Sequence, residues 1–134
     1  MKIEVKNKLG QTYYTGFMNT ARGWYEGEWN GYVNSDEVIE AVKIVMANTD
    51  QSTFTKSLND SSKGEGSWDE ANDWLGQNWI PYAVAGGLQK FAFVVSPDIF
   101  SAMSSEDLQT KIPGTGFEMR TFQHRSEAEA WLSA

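Results

Sequence analysis

Cysteine is absent from this chain, histidine occurs once and proline three times. Without cysteine there is no disulfide, no thiolate metal ligand and no thiol nucleophile. The disulfide framework of a small secreted fold is excluded as well, so the cytoplasm is the expected compartment. Long apolar runs are also missing. The longest, Phe91 to Val95, is strand-sized, far short of the roughly 20 residues of a membrane-spanning helix. Met1-Lys2-Ile3-Glu4 has no apolar segment of the signal-peptide kind, so no signal peptide is expected. Positive charge is scarce: 11 Lys and Arg stand against 18 Asp and Glu, for a net charge of −7. The basic residues do not cluster, and an acidic chain repels phosphate backbones at long range, so nucleic acid is not an expected partner. A basic protein surface would suit it, although an acidic surface also serves simple solubility.

What the chain has in excess is aromatic side chains: six Trp, five Tyr and seven Phe in 134 residues. That is enough to rule out a disordered chain, and the length suits one domain with a real core.

Lys2 to Met18 reads as two strands broken at Leu9-Gly10-Gln11, and Trp24 to Trp29 as a third. In that third strand Trp24, Glu26 and Glu28 share one face and Tyr25, Gly27 and Trp29 the other, after which Asn30-Gly31 ends it. Asn34 and Glu37 have capping-box spacing and open a helix with Val38, Val42 and Val45 on one stripe, fading near Asn48-Thr49-Asp50. Phe54 to Asn59 is a weak strand, because Thr55, Ser57 and Asn59 make one face polar, and a loop over 60–66 follows. Ser67 and Glu70 suggest a second capping box, opening a helix lined by Trp68, Ala71 and Leu75 and interrupted at Pro81. Phe91 to Val95, apolar on both faces, reads as a central strand covered twice. Ser96-Pro97-Asp98 starts a helix near 97–110 with Pro at its first position and a potential break at Ser104-Ser105. Phe117 to Phe122 is the last strand, and Ser126 with Glu129 opens a short final helix. The order β-β-β-α-β-α-β-α-β-α implies one α/β domain, an N-terminal β-meander followed by parallel strands with helical crossovers.

Few residues suggest chemistry. Asp69, Glu70 and Asp73 cluster on the second helix, but no His or Cys completes a transition-metal set. His124 sits between Gln123 and Arg125 in an expected surface turn, and no Gly-x-Ser-x-Gly elbow is present. Gly64-Glu65-Gly66-Ser67 could offer backbone N–H groups to an anion, but it lacks the P-loop lysine and Glu65 would repel the ligand. No cofactor is therefore expected. On the second helix Trp68, Leu75 and Trp79 can face the sheet while Trp74 points elsewhere. Those rings fit a packed core first, and an apolar pocket or patch for a ligand or partner is the sharper alternative.

Several segments resemble one family. Trp29-Asn30-Gly31-Tyr32-Val33-Asn34-Ser35, the stretch from Trp79-Ile80-Pro81 to Val94, and Phe117 to Phe122 followed by Ser126 to Leu132 are similar to SpoIIAA-like proteins. These are relatives of the STAS domains of anti-sigma-factor antagonists and sulfate transporters, and have been compared with lipid-binding CRAL-TRIO domains. The resemblance implies a (β-α) superhelix with a mixed, mostly parallel sheet and four helices. Together with the missing catalytic set and the acidic composition, the resemblance suggests a non-enzymatic regulatory or protein-interaction role. The partner would be a protein or a second copy of the chain, and a small apolar or lipid-like ligand is the alternative. Asp60 falls where the family often closes a strand with Asp, whereas the Asp-Ser-Ser/Thr-Gly phosphoswitch sequence is not preserved. Its nearest counterpart is Ser67, behind Asp60-Ser61-Ser62, so the surface expected to carry interaction or switching comprises Asp60, Ser61, Ser62, Ser67, Trp68 and Trp74.

Overall fold

The computed structural model describes residues 2–49 and 54–134, and the expected helix end at Asp50 lies outside them. Three strands open the chain: β1 (Lys2–Lys6), β2 (Thr12–Asn19) and β3 (Trp24–Tyr32). They form the antiparallel meander. Asn7 closes the first turn by accepting from the backbone N–H groups of Leu9 and Gln11 at 3.0 Å. The second turn closes through Gly23, whose N–H donates to the Asn19 carbonyl at 2.8 Å. Beyond the meander come α1 (Ser35–Thr49), β4 (Lys56–Glu65), a helical run over 69–85, β5 (Lys90–Val94), α4 (Ile99–Gln109), β6 (Glu118–Phe122) and α5 (Arg125–Ser133). The helical run is composite: a 3-10 turn (Asp69–Ala71), α2 (Asn72–Trp74), a π-helical turn (Leu75–Trp79) and α3 (Ile80–Ala85).

Among the described residues the strands make one six-stranded sheet in chain order, with β3 to β6 parallel. Stripes from α1, the helical run and α4 pack on one face, where Val38, Ala41, Leu75 and Leu108 meet Tyr14, Tyr25, Phe91 and Phe93. The other face is covered by α5, through Ala128 and Leu132 on Trp24, Leu58, Ala92 and Val94. The period-two readings of β3 and β5 are thus met: Phe91 and Phe93 point to one layer and Ala92 and Val94 to the other.

Five local expectations are corrected. First, β3 does not stop at Asn30-Gly31, and residues 60–65 are not a loop. They pair with each other as Asn30 with Lys63, Gly31 with Gly64 and Tyr32 with Glu65. The register slips between Glu28–Asp60 and Asn30–Lys63, so β4 carries one extra residue, a bulge at Ser61–Ser62. Asp60 supports it by accepting from the backbone N–H of Ser62 at 3.0 Å and from its hydroxyl at 2.6 Å.

Second, Ser67 is not a helix cap. Its hydroxyl donates to Asp69 Oδ1 at 2.8 Å, and the run begins at Asp69 without a side-chain cap. Third, Ser126 lies inside α5, which starts at Arg125. The Glu129 carboxylate that would complete its capping box is held by Arg125 Nε at 2.7 Å. Fourth, Pro97 precedes α4 rather than opening it, and Asp98 is the cap, accepting from the Ser101 N–H at 3.1 Å. The Asn34–Glu37 capping box does form, with reciprocal bonds of 2.9 and 3.0 Å.

Fifth, the helix α4 is not broken at Ser104-Ser105; both serines are fully buried, and Ser105 donates to the Ala102 carbonyl within the helix at 2.7 Å. It packs with its apolar side outward: Ile99, Phe100 and Met103 are 66%, 61% and 59% exposed, while Ser101, Ser104 and Ser105 face the interior. Trp68 explains the inversion. Its backbone N–H donates to Ser104 Oγ at 3.0 Å and its indole N–H to Ser101 Oγ at 3.4 Å, while Ser104 donates to Asp69. Buried donors on the neighbouring segment need acceptors, and an apolar α4 face would leave them unpaired.

Candidate functional site

Between the sheet and the helices of its α1-bearing face lies a cavity of about 470 Å³. Close-packed interiors hold few voids larger than a water molecule. An engineered cavity of about 150 Å³ already accepts benzene, so this one has room for two to three fused or linked rings.

The floor is the sheet. From β4 it takes Ser57, Asn59 and Ser61, the alternate residues whose polarity weakens the strand pattern in the sequence; from β5, Phe91 and Phe93; from β3, Tyr25, Gly27 and Trp29. Polar β4 side chains thus face an internal space lined mainly by aromatic and aliphatic groups. Trp29 donates its indole N–H to Asn59 Oδ1 at 2.7 Å, and Asn59 Nδ2 donates to Ser61 Oγ at 3.0 Å. These two bonds fix the Asn59 amide and leave the Ser61 hydroxyl hydrogen available. Tyr14 and Tyr25 extend the floor toward β2. Their hydroxyls are 2.8 Å apart, and burial raises both phenol pKa values, that of Tyr25 to about 12.

The roof comes from α1, through Val38, Val42, Val45 and Thr49, and from the helical run, through Leu75, Trp79 and Tyr82. The run passes over the cavity as a π turn, in which the Ile80 N–H donates to the Leu75 carbonyl five residues back. Pro81 supplies the cause. It has no N–H to continue the ordinary ladder, and the register relaxes immediately before it while Asn78 Nδ2 donates to the Trp74 carbonyl at 3.0 Å. Widened turns of this kind recur at functional sites. Trp68, Leu75 and Trp79 line the cavity, and Trp74 does not, packing instead beneath Lys43 Nζ at 5.7 Å.

The residues singled out as an interaction surface do not share one surface, although Asp60 holds Ser62 and Ser61 and Trp68 line the same cavity. Asp60 lies on the α5 face, 3.4 Å from Arg125 Nη1. Ser61 and Trp68 are buried toward the cavity, Ser62 and Ser67 are exposed, and Trp74 is half-buried. The carboxylates of the second helix also diverge, Asp69 toward Ser67 and Ser104 and Asp73 toward Lys111 at 3.2 Å. Hydrogen bonds from Ser104 and Ser67 hold the Asp69 carboxyl below its ordinary range. In the glycine-bearing segment the Gly66 N–H is already bonded to Asp98 Oδ2 at 3.0 Å, so a carboxylate of the chain itself occupies the anion position. His124 is exposed at the start of α5.

A second polar cluster, on the opposite face, was not legible in the sequence. Glu26, 2% exposed, accepts from Trp24 Nε1 at 2.9 Å, Asn19 Nδ2 at 3.0 Å and Arg125 Nη2 at 2.7 Å. Burial alone would raise its pKa, but these donors and the charge of Arg125 outweigh that and lower it. Arg125 also reaches Glu28, Asp60 and Glu129, so it is the pin that fastens α5 to β3 and β4. Both carboxylate oxygens of Glu26 are spent on this fastening, which makes the cluster structural.

Comparison of the chain with known protein families, with curated proteins and with solved structures gave no match in any of the three.

Proposed function

We propose that this chain is a non-enzymatic binding protein for a small apolar molecule, held between the sheet and the helices of its α1 side. One observation carries the reading: a cavity of about 470 Å³ walled by Trp29, Trp68, Trp79, Phe91 and Phe93. Its size falls in the range of roughly 300–1,000 Å³ typical of small-molecule sites, which combine apolar walls with a few placed polar groups. N-phenyl-1-naphthylamine, an uncharged probe that brightens in apolar surroundings, tests it directly. Saturable binding to the chain is expected, and its loss in a folded Val45→Phe variant, whose added ring would fill the space beneath α1. No binding to the unaltered chain, or undiminished binding to Val45→Phe, would reject the reading.

The SpoIIAA-like grouping is part of the same proposal. It is supported by the path of the chain, in which β3, β4, β5 and β6 succeed one another side by side with each connecting helix on one face, as a (β-α) superhelix requires. One observation favours a second reading, a regulatory protein-interaction role: the exposed apolar row Ile99, Phe100 and Met103 on α4. Contiguous exposed apolar residues mark association surfaces. Phe100→Ser should then abolish self-association in sedimentation velocity, or retention of a partner on the tagged chain; no change in either would remove this reading. Ser67 would be the switch residue of such a role. Its phosphate would stand beside Asp69, and phosphopeptide mapping of protein from its own cells would detect it.

A further inference from the structure

The groups lining the cavity also select a class of molecule, an inference that rests on the cavity being a small-molecule site. No lysine, arginine or histidine is among the described residues lining the cavity, and the one carboxylate residue among them, Glu65, is solvent-exposed at the end of β4. A ligand carboxylate or phosphate drawn inside would lose its water shell with no cation to replace it, and a buried unpaired charge is among the least favourable arrangements in a protein. The tyrosines of the floor report the same environment: burial is the main reason that Tyr14 and Tyr25 resist ionisation. A ligand cation fares little better, because the only described acid lining the cavity is that exposed one and several aromatic faces are engaged with one another. Trp79 packs against Phe91 and Phe117 at centroid distances of 5.1 and 5.8 Å, and Trp29 against Tyr14 at 4.6 Å.

The floor nevertheless offers neutral hydrogen-bonding groups with spare capacity, whereas the roof hydroxyls of Thr49 and Tyr82 are bonded to each other at 2.6 Å and to carbonyls of α1. Ser57 Oγ has no hydrogen-bond partner among the described residues, the Ser61 hydroxyl accepts from Asn59 but donates to none of them, and the Tyr14–Tyr25 pair uses only one of its two hydroxyl hydrogens. Against them stands a roof of Val38, Val42, Val45 and Leu75. We infer that the ligand is an uncharged, ring-bearing molecule with a hydroxyl or carbonyl group on one edge, bound with that group at the Ser57 hydroxyl of β4 and its apolar edge under α1.

The test uses one ring system in four forms, 2-naphthol, naphthalene, 2-naphthoate and trimethyl(2-naphthyl)ammonium, titrated calorimetrically into the full chain near neutral pH. 2-Naphthol is expected to bind best, about fivefold tighter than naphthalene through a net hydrogen bond, and at least about tenfold tighter than either charged form. In Ser57→Ala the preference for 2-naphthol over naphthalene should shrink toward one while naphthalene affinity stays the same. This variant removes no hydrogen bond to a described residue, and near-ultraviolet circular dichroism verifies its fold. A charged form binding as tightly as 2-naphthol would overturn the inference, as would a 2-naphthol preference unchanged in Ser57→Ala. Either result would leave the proposed function standing if N-phenyl-1-naphthylamine still binds; failure of that probe would overturn both.

Discussion

The hydroxyls of Tyr14 and Tyr25 meet at 2.8 Å above a pair of glycines, Gly16 and Gly27, that face each other across β2 and β3. The glycines are required by the ring positions. A Cβ at Gly16 would collide with the Tyr25 hydroxyl, and one at Gly27 would stand 2.6 Å from that of Tyr14. The bare backbone thus lets two phenols lie flat on the sheet and leave the space above them open. Gly16→Ala should displace Tyr25 into the cavity, costing about 1–3 kcal/mol as overpacking does and weakening probe binding. Chemical denaturation and the naphthylamine titration measure the two effects.

The same pair predicts an alkaline limb. The Tyr25 pKa is raised by burial to about 12, and that of Tyr14 is raised as well. Phenols in the unfolded chain ionise near pH 10. The stability conferred by keeping them neutral is therefore complete below about pH 10 and is lost as pH climbs through the folded-state value. Melting temperature should fall across that interval, and more gently in a Tyr14→Phe/Tyr25→Phe variant.

On the α5 face, Glu26 predicts an acid limb of opposite sign. Its folded pKa is lowered, so it confers stability above the ordinary glutamate range of about 4.3, and that stability disappears as pH falls through the folded value. Glu26→Gln should flatten this limb. Arg125→Met, which strands a nearly buried carboxylate, should cost about 2–4 kcal/mol near neutral pH; this is below the value for a fully buried pair because the Arg125 side chain is 33% exposed. Urea unfolding at several pH values measures both.

Helix starts give a contrast between two residues. Asp98 caps α4 and also receives the Gly66 N–H, so Asp98→Ala should cost about 1–2 kcal/mol. Ser67 caps nothing, and Ser67→Ala should cost less than about 0.5 kcal/mol, the scale of ordinary surface changes. Equal losses for the two would mean that the second helix begins at Ser67 after all.

Trp131 tests how far the aromatic excess belongs to the core. It packs on Phe122 at 5.9 Å and lies beneath Lys90 and Arg120, only partly buried. Trp131→Ala should cost about 1–2 kcal/mol, less than the roughly 3–5 kcal/mol of a fully buried aromatic, as thermal unfolding will show.

What the sequence determined by itself were the features set by neighbours along the chain. Alternation placed Tyr25 and Trp29 opposite Trp24 and Glu26 on β3, and Phe91 and Phe93 opposite Ala92 and Val94 on β5. The Asn34–Glu37 cap spans only three residues, and the expected inward placing of Leu75 and Trp79, with Trp74 turned away, is met. The tertiary structure decided whatever depended on a distant partner. Residues 60–65 became strand because β3 offered them a parallel ladder. The serines of α4 turned inward because Trp68, more than 30 residues earlier, needed acceptors. The polar face of β4, which in the sequence argues against a buried strand, became the floor of a cavity because α1 and a π turn forced by Pro81 arch over it rather than fill it. Period and capping are local and survive in one dimension, whereas a cavity exists only as the distance between layers, which no stretch of sequence encodes alone.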